Sequence, residues 1–214
     1  MKTILYIDGF NLYYGALRKT PFRWLDPIRL ARQAFPKNRI VGTKYFSAKV
    51  DPAIGDPQAP VRQAIYWRAL KTLPLLEIIE GQFRTRRSWA KVASPPPEKI
   101  EVLKNEEKGS DVNLASYLLL DAFQNKFQAA IVISGDSDLF TPIRMVKDQL
   151  SKPVGVLNSQ RLSGPHKPKE RKNAGLRRAA SFYKKGVTWA QLERSQFPDS
   201  LRDKTGPMKK PSKW

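Results

Sequence analysis

Four aspartates stand at points where the chain changes direction. Asp8 closes the apolar run Thr3-Ile4-Leu5-Tyr6-Ile7, Asp136 and Asp138 follow the run Ala129-Ala130-Ile131-Val132-Ile133-Ser134, and Asp111 opens the amphipathic segment upstream of that second run. Carboxylates brought within several ångströms repel one another and raise one another's pKa. In a chain rich in cations, such a grouping makes sense when a metal ion sits among them. An all-oxygen donor set completed by water suits Mg²⁺ or Mn²⁺. Beside a surface that attracts polyanions, such an ion points to phosphodiester hydrolysis. It lowers the pKa of bound water, holds a non-bridging oxygen and stabilises the leaving 3′ oxygen. Asn11 is spaced to orient the water or the phosphate, and Lys108 to neutralise charge on the scissile phosphate. The same residues have plainer uses. An Asp after a strand is commonly a turn or helix-cap residue, and Asn11 serves equally as a helix N-cap. Ser134 and Ser137 read as local partners of the backbone.

The elements that must position these side chains are short and alternate in type. Five apolar, β-branched runs read as buried strands: 3–7, 40–46, 75–79, 129–134 and 154–157. Between them lie stretches with helical spacing. Segment 25–35 begins with Asp26-Pro27, an N-cap followed by proline at the first helical position. Segment 61–73 carries Ile65, Ala69 and Leu73 on one face. Segment 110–124 has Ser110 as N-cap, Asp111 at the positive end of the helix dipole, and Leu114, Leu118 and Ala122 as a buried stripe. Segments 138–150 and 174–183 read as further helices. The alternation predicts an α/β fold, a central and mainly parallel five-stranded sheet with helices on both faces. In such a sheet, ligands bind beyond the carboxyl ends of the strands at the topological switch point, where the aspartates fall.

The 214 residues suit one principal domain, and 41% hydrophobic content is enough for its core. Cysteine is absent, which removes disulfides, thiolate zinc sites and cysteine nucleophiles. The single histidine, His166, excludes a histidine-rich metal site. No apolar run approaches the length of a membrane span, and the N-terminus lacks a signal-peptide layout, so a cytoplasmic protein without membrane contact is expected. The 39 Lys+Arg against 19 Asp+Glu give a net charge of +20, which predicts attraction to nucleic acid first. The sequence carries no signal of oligomeric state.

The segments Tyr6-Ile7-Asp8-Gly9-Phe10-Asn11-Leu12, Glu107-Lys108-Gly109-Ser110-Asp111-Val112 and Ser134-Gly135-Asp136-Ser137-Asp138-Leu139-Phe140 resemble the NYN domain family of the PIN-like nuclease group. The resemblance spans roughly residues 1–185. It implies a three-layer α/β/α sandwich with five parallel strands and a divalent-metal-dependent ribonuclease. It also implies acids at the positions of Asp8, Asp111, Asp136 and Asp138, with Asn11 matching the family's Asn. Around Leu176 to Phe182 the chain is similar to the family's closing helix, where an Asp commonly stands in place of Ala180 or Ser181. Some relatives carry a Cys-based zinc insertion. The corresponding region here, 82–104, is basic and has no Cys, so no zinc is expected.

That region is read as an insertion or loop broken at Pro95-Pro96-Pro97. Its Arg84, Arg86, Arg87 and Lys91, with Trp89 among them, suit phosphate contact and base stacking along a single RNA strand. Arg177 and Arg178, within the run Lys167, Lys169, Arg171, Lys172, Lys184 and Lys185, suit a second backbone track, although charge runs also serve as plain solvated faces. Residues 186–214 form a basic C-terminal extension, and its last stretch, 199–214, is short of aliphatic residues and reads as unstructured. Trp24, Trp67 and Trp189 read as packing residues. The leading expectation is an endoribonuclease with RNA as partner. A non-catalytic RNA-binding module is the alternative. A haloacid-dehalogenase-type phosphatase is disfavoured because Phe10 stands where that chemistry needs a second acid. A toprim-type nuclease fits in outline but wants Glu after its first strand.

Overall fold

The run that ends in Asp8 forms strand β1 (Lys2–Asp8), buried from Thr3 onward as a strand covered on both faces must be. The computed structural model describes residues 1–52, 56–94, 97–165 and 173–214. Asp8 caps the short helix α1 (Gly9–Leu12), which widens into a π turn over Tyr13–Leu17. Helix α2 (Pro27–Ala34) starts as its sequence dictates, with Asp26 accepting from the amides of Ile28 and Arg29 and Pro27 in the first turn. Strand β2 (Arg39–Ser47), helix α3 (Ala59–Lys71) and strand β3 (Leu76–Glu80) complete the first half. Strands β4 (Gln82–Lys91) and β5 (Lys99–Lys108) follow, then helix α4 (Ser110–Phe123) and strand β6 (Ala129–Ile133). A 3₁₀ turn at Ser137–Leu139 leads into helix α5 (Phe140–Asp148). The chain ends through strand β7 (Val154–Leu157), helix α6 (Ala174–Ala179), strand β8 (Phe182–Lys184), helix α7 (Trp189–Arg194), and strands β9 (Ser200–Asp203) and β10 (Gly206–Lys209).

The main sheet has six strands in the order β3-β2-β1-β6-β7-β8, and every pair is parallel. The expected count was five. The sixth, β8, overlaps the end of the segment 174–183 read as helix, and its three residues pair with β7 through Gly155–Leu157. A run that short has no periodicity of its own, so the neighbouring strand edge decides its conformation. An added Cβ at Gly155 would come within 2.0 Å of the Phe182 ring, so the glycine is what lets β8 lie close.

Strand alternation sends β1 residues to opposite layers. Leu5 and Ile7 pack with Leu12, Leu30, Trp67 and Leu70, while Ile4 and Tyr6 pack with Leu114 and Leu118 of α4, Ile143 of α5 and Leu176 of α6. The result is a three-layer α/β/α sandwich. Asp8 has the parity of Ile4 and Tyr6, which turns it toward the layer that holds α4. The strand order reverses direction between β1 and β6, so their carboxyl ends flank the switch point.

Two other segments differ from expectation. Residues 82–104, expected as an insertion or loop, lie largely in the antiparallel hairpin of β4 and β5, paired from Gln82 with Lys108 to Lys91 with Lys99. The basic composition had masked the strand pattern. Residues 199–214, expected to lack structure, carry the β9–β10 hairpin. Their order comes from rings and charge rather than aliphatic burial. Trp214 packs against Tyr66 and Trp24 at 5.7 and 6.3 Å between ring centroids, and Arg68 makes two 2.8 Å bonds to Asp203. Trp24 and Trp67 are core residues as read, and Trp189 packs edge-on against Phe22. Among the described residues no helix is long and apolar enough to cross a membrane.

Candidate metal centre

Three of the expected carboxylates meet. Asp8 at the end of β1, Asp111 in the first turn of α4 and Asp136 after β6 each present an oxygen within 4.8 Å of the others. The parity of β1 and the direction of α4 explain it. Helix α4 packs beneath β1 and begins near the rim where the strand ends. Gly109, in the left-handed region at φ 93°, turns the chain out of β5 and caps α4, the place the sequence reading gave to Ser110. Ser110 is instead the first helical residue and is buried.

Asp8 is the buried member. Its Oδ1 accepts from the Asn11 amide at 2.8 Å and its Oδ2 from the Ser134 hydroxyl at 2.9 Å. Burial pushes its carboxyl up to about 7, and the charges of Asp111 and Asp136 add to the rise, while the bonds from Asn11 and Ser134 oppose it. A nearby cation would reverse that cost, since it favours the ionised form. Asp136 is half-exposed and has a second task as cap of the 3₁₀ turn, accepting from the Asp138 amide at 2.9 Å. The plain reading of this residue and the shared-site reading are therefore compatible.

Asp138 stands apart. It is exposed and lies outside the group of three, because the 3₁₀ turn sends it to solvent instead of back across the strand ends. Asn11 does not cap the helix, since Asp8 does. Its Oδ1 accepts from the Gly135 amide at 2.9 Å and from the Ser159 hydroxyl. Asn173 donates to the Gly135 carbonyl at 2.9 Å, so both sides of this glycine are held. A Cβ at Gly135 would lie 2.7 Å from Asn158 Oδ1 and 3.3 Å from Asn11 Oδ1. Ser134 bonds locally to the Asp136 amide, as read, and also reaches Asp8.

Asn158, Ser159 and Asn173 escaped the sequence reading. The first two directly follow β7, and the strand-end argument that located the aspartates would have located them. Asn173 caps α6, accepting from the Leu176 amide at 3.0 Å. Of the basic residues, Arg86, Arg87 and Lys91 are exposed on the β4–β5 hairpin beside Trp89, which is 68% exposed. Arg87 faces Glu101 across the strands at 3.8 Å. Lys108 is exposed at the end of β5, and Arg177 and Arg178 are exposed on α6. The Arg84 side chain, His166, Lys167, Lys169, Arg171 and Lys172 lie outside what the structure describes.

A parallel main sheet with acids gathered at its switch point defines an α/β class with an acidic rim. The sequence matches the family described as NYN domain over residues 2–184, and the chain belongs to that family. It is also similar to 6-hydroxy-3-succinoylpyridine 3-monooxygenase HspA of Pseudomonas putida (strain DSM 28022 / S16), at 28% identity over 241 aligned residues that cover all of this chain and 75% of that protein. Among solved structures, a protein of unknown function from Vibrio parahaemolyticus RIMD 2210633 superposes with a TM-score of 0.53 at 15% identity, covering 97% of this chain and 96% of that one. At that identity the likeness concerns the fold.

Proposed function

We propose that the protein is a divalent-metal-dependent ribonuclease that hydrolyses phosphodiester bonds at the rim between β1 and β6. The observation that carries this reading is the convergence of Asp8, Asp111 and Asp136 from three separate elements. The donor set fits Mg²⁺ or Mn²⁺. It is all oxygen, its atoms are close enough to share one ion, and the most buried carboxyl is held unfavourably without a cation. Asp8, Asp111 and Asp136 would hold the ion. When bound, it supplies a water of lowered pKa and charge stabilisation at phosphorus and at the leaving oxygen.

The chain's own residues do the rest. Asn11 and Ser134 fix the Asp8 carboxylate in one orientation, and the bonds to Gly135 set the position of Asp136. Lys108, exposed at the end of β5, meets a non-bridging phosphate oxygen. Asp138, exposed beside Asp136, takes the proton of the attacking water. The water oxygen bonds to phosphorus, the bond to the 3′ oxygen breaks, the leaving oxygen takes up a proton that Asp138 returns through solvent, and the products are a 5′ phosphate and a 3′ hydroxyl. Arg86, Arg87, Lys91 and Trp89 on the hairpin, with Arg177 and Arg178, hold the strand through its phosphates and bases.

The test is incubation of the pure protein with mixed RNA and Mn²⁺ or Mg²⁺. Cleavage is expected to stop in EDTA and to fall by about 100-fold or more in Asp136→Asn. Cleavage that survives both changes overturns the mechanism. Salt-sensitive RNA binding without products would instead favour a non-catalytic binding module. The name of the Pseudomonas relative favours a second reading, turnover of a small aromatic compound. That reading predicts no RNA products under any metal condition.

A further inference from the structure

A cavity of about 420 Å³ begins at Gly9, the residue after Asp8, and runs between the π turn that follows α1 and the helix α3. That volume is in the range of sites that enclose a small organic molecule, about 300–1,000 Å³. Its walls are rich in aromatic rings. Tyr13, Tyr45, Tyr66, Trp67 and Trp214 all line it, and Trp214 and Tyr66 meet edge to face at 73°. Aromatic walls of this kind offer stacking and edge contacts to a flat ring.

Cations stand among the rings. Arg18, Arg23 and Arg62 line the same space, together with Asp51 and Asp56. Arg62 is engaged by Asp56, which Lys213 also holds at 3.3 Å. Arg23 is different. One of its terminal nitrogens donates to the Lys213 carbonyl, and its Nε is shut away from solvent with no acceptor among the described residues. Arg23 lines the cavity, and a guanidinium is a fork-shaped partner for a carboxylate or phosphate. Arg18, exposed with its guanidinium 5.3 Å from the Tyr14 ring centroid, is a second cation for the same anion.

We propose that this cavity binds a planar aromatic ring that carries an anionic arm, the ring against the tyrosine and tryptophan walls and the arm at Arg23 and Arg18. Two sources share this chemistry: a nucleotide, with its base and phosphate, and a free aromatic carboxylate. The site needs no metal ion, so its test is independent of the nuclease reading.

The test uses the full chain in EDTA, titrated with uridine and adenosine monophosphates in one arm and with nicotinate and phenylpropionate in the other. Tryptophan fluorescence and calorimetry give the readout, since Trp67 and Trp214 line the cavity. At least one probe is expected to bind with Kd below about 1 mM. Arg23→Gln should weaken it at least about fivefold, Arg18→Gln at least about threefold, and Ala59→Trp should abolish it by filling the space. Arg18 is a surface residue, so its variant tests the arm without endangering the fold. Thermal melts check all three. Tighter nucleotide binding assigns the site to a nucleotide, tighter carboxylate binding assigns it to a free aromatic acid, and either result supports the site. No binding of any probe up to about 5 mM, or binding that every folded variant leaves unchanged, overturns it.

Discussion

At Asp8, burial and charge oppose each other. Its carboxyl ordinarily titrates near 3.8 and here is pushed up to about 7, with burial as the leading cause. The folded metal-free protein therefore holds this proton more tightly than the unfolded chain. The stabilisation is complete below the unfolded value and is lost as pH rises toward about 7, above which both states are ionised. Across that window the change is on the order of 4 kcal/mol. With divalent ions removed, Asp8→Asn should match the parent protein at pH 4 and melt about 5–10 °C above it at pH 8. Added Mn²⁺ should raise the melting temperature of the parent at pH 8 and leave that of Asp8→Asn unmoved. Equal melting curves for the two proteins at pH 8 would show that Asp8 carries no penalty for ionisation. A gain on Mn²⁺ addition that is the same in both would place the ion elsewhere.

Helix α4 carries both the chemistry and the attachment to the sheet. Asp111 belongs to its half-buried first turn, whereas Asp121, a charged residue with no solvent access, lies beneath the sheet. It accepts from the Tyr6 hydroxyl at 2.8 Å and from Lys126 at 2.9 Å, with Lys44 at 3.8 Å. Removing it strands the buried Tyr6 hydroxyl and takes a counter-charge from Lys126 and from Lys44, which keeps Glu77 at 3.2 Å. Asp121→Ala should therefore cost about 2–4 kcal/mol in denaturant unfolding, and Asp111→Asn much less. A similar logic applies to the loop after β6. Gly135→Ala forces its Cβ onto Asn158 and Asn11, so it should impair cleavage far more than it lowers the melting point. The parts of the fold legible in the sequence were those written in local pattern. The buried runs of β1 and β6 announce strands, and a strand's end announces where its next residue points, so Asp8 and Asp136 could be placed at one rim. Asp111 followed because a crossover helix must start at that rim. What depends on a partner element was not legible. Strand β8 is made by the edge of β7, and the β4–β5 hairpin by mutual pairing of charged segments. Asp138 is turned outward by a 3₁₀ turn that the residues Ser137–Leu139 do not advertise, and Asp121 falls on the buried stripe of α4 with Leu114 and Leu118, but its partner Tyr6 is distant in sequence and no local pattern names it.

At the scale of the whole molecule the governing quantity is the net charge of +20. Its excess is unevenly spread: residues 161–214 contain 15 Lys/Arg and 4 Asp/Glu, a net of +11, and the other 160 residues supply the remaining +9. A polyanion bound to such a surface releases counterions, so affinity must fall linearly on a logarithmic salt scale, by about 0.7 per phosphate neutralised on a single strand. Fluorescence anisotropy of a labelled single-stranded RNA against KCl measures that slope, with Asp136→Asn used to prevent cleavage. If the hairpin grips the strand, replacing Arg86 and Arg87 together by Ala should make the slope shallower by about 1.4 and weaken binding at low salt. Trp89→Ala should weaken binding by about 1–3 kcal/mol with the slope unchanged, because stacking on this exposed ring displaces no ions. The two outcomes separate charge from stacking on one element. A slope unaffected by the arginines, with affinity intact, would move the strand off the hairpin and onto the charges of α6, where Arg177→Ala and Arg178→Ala should then carry the loss.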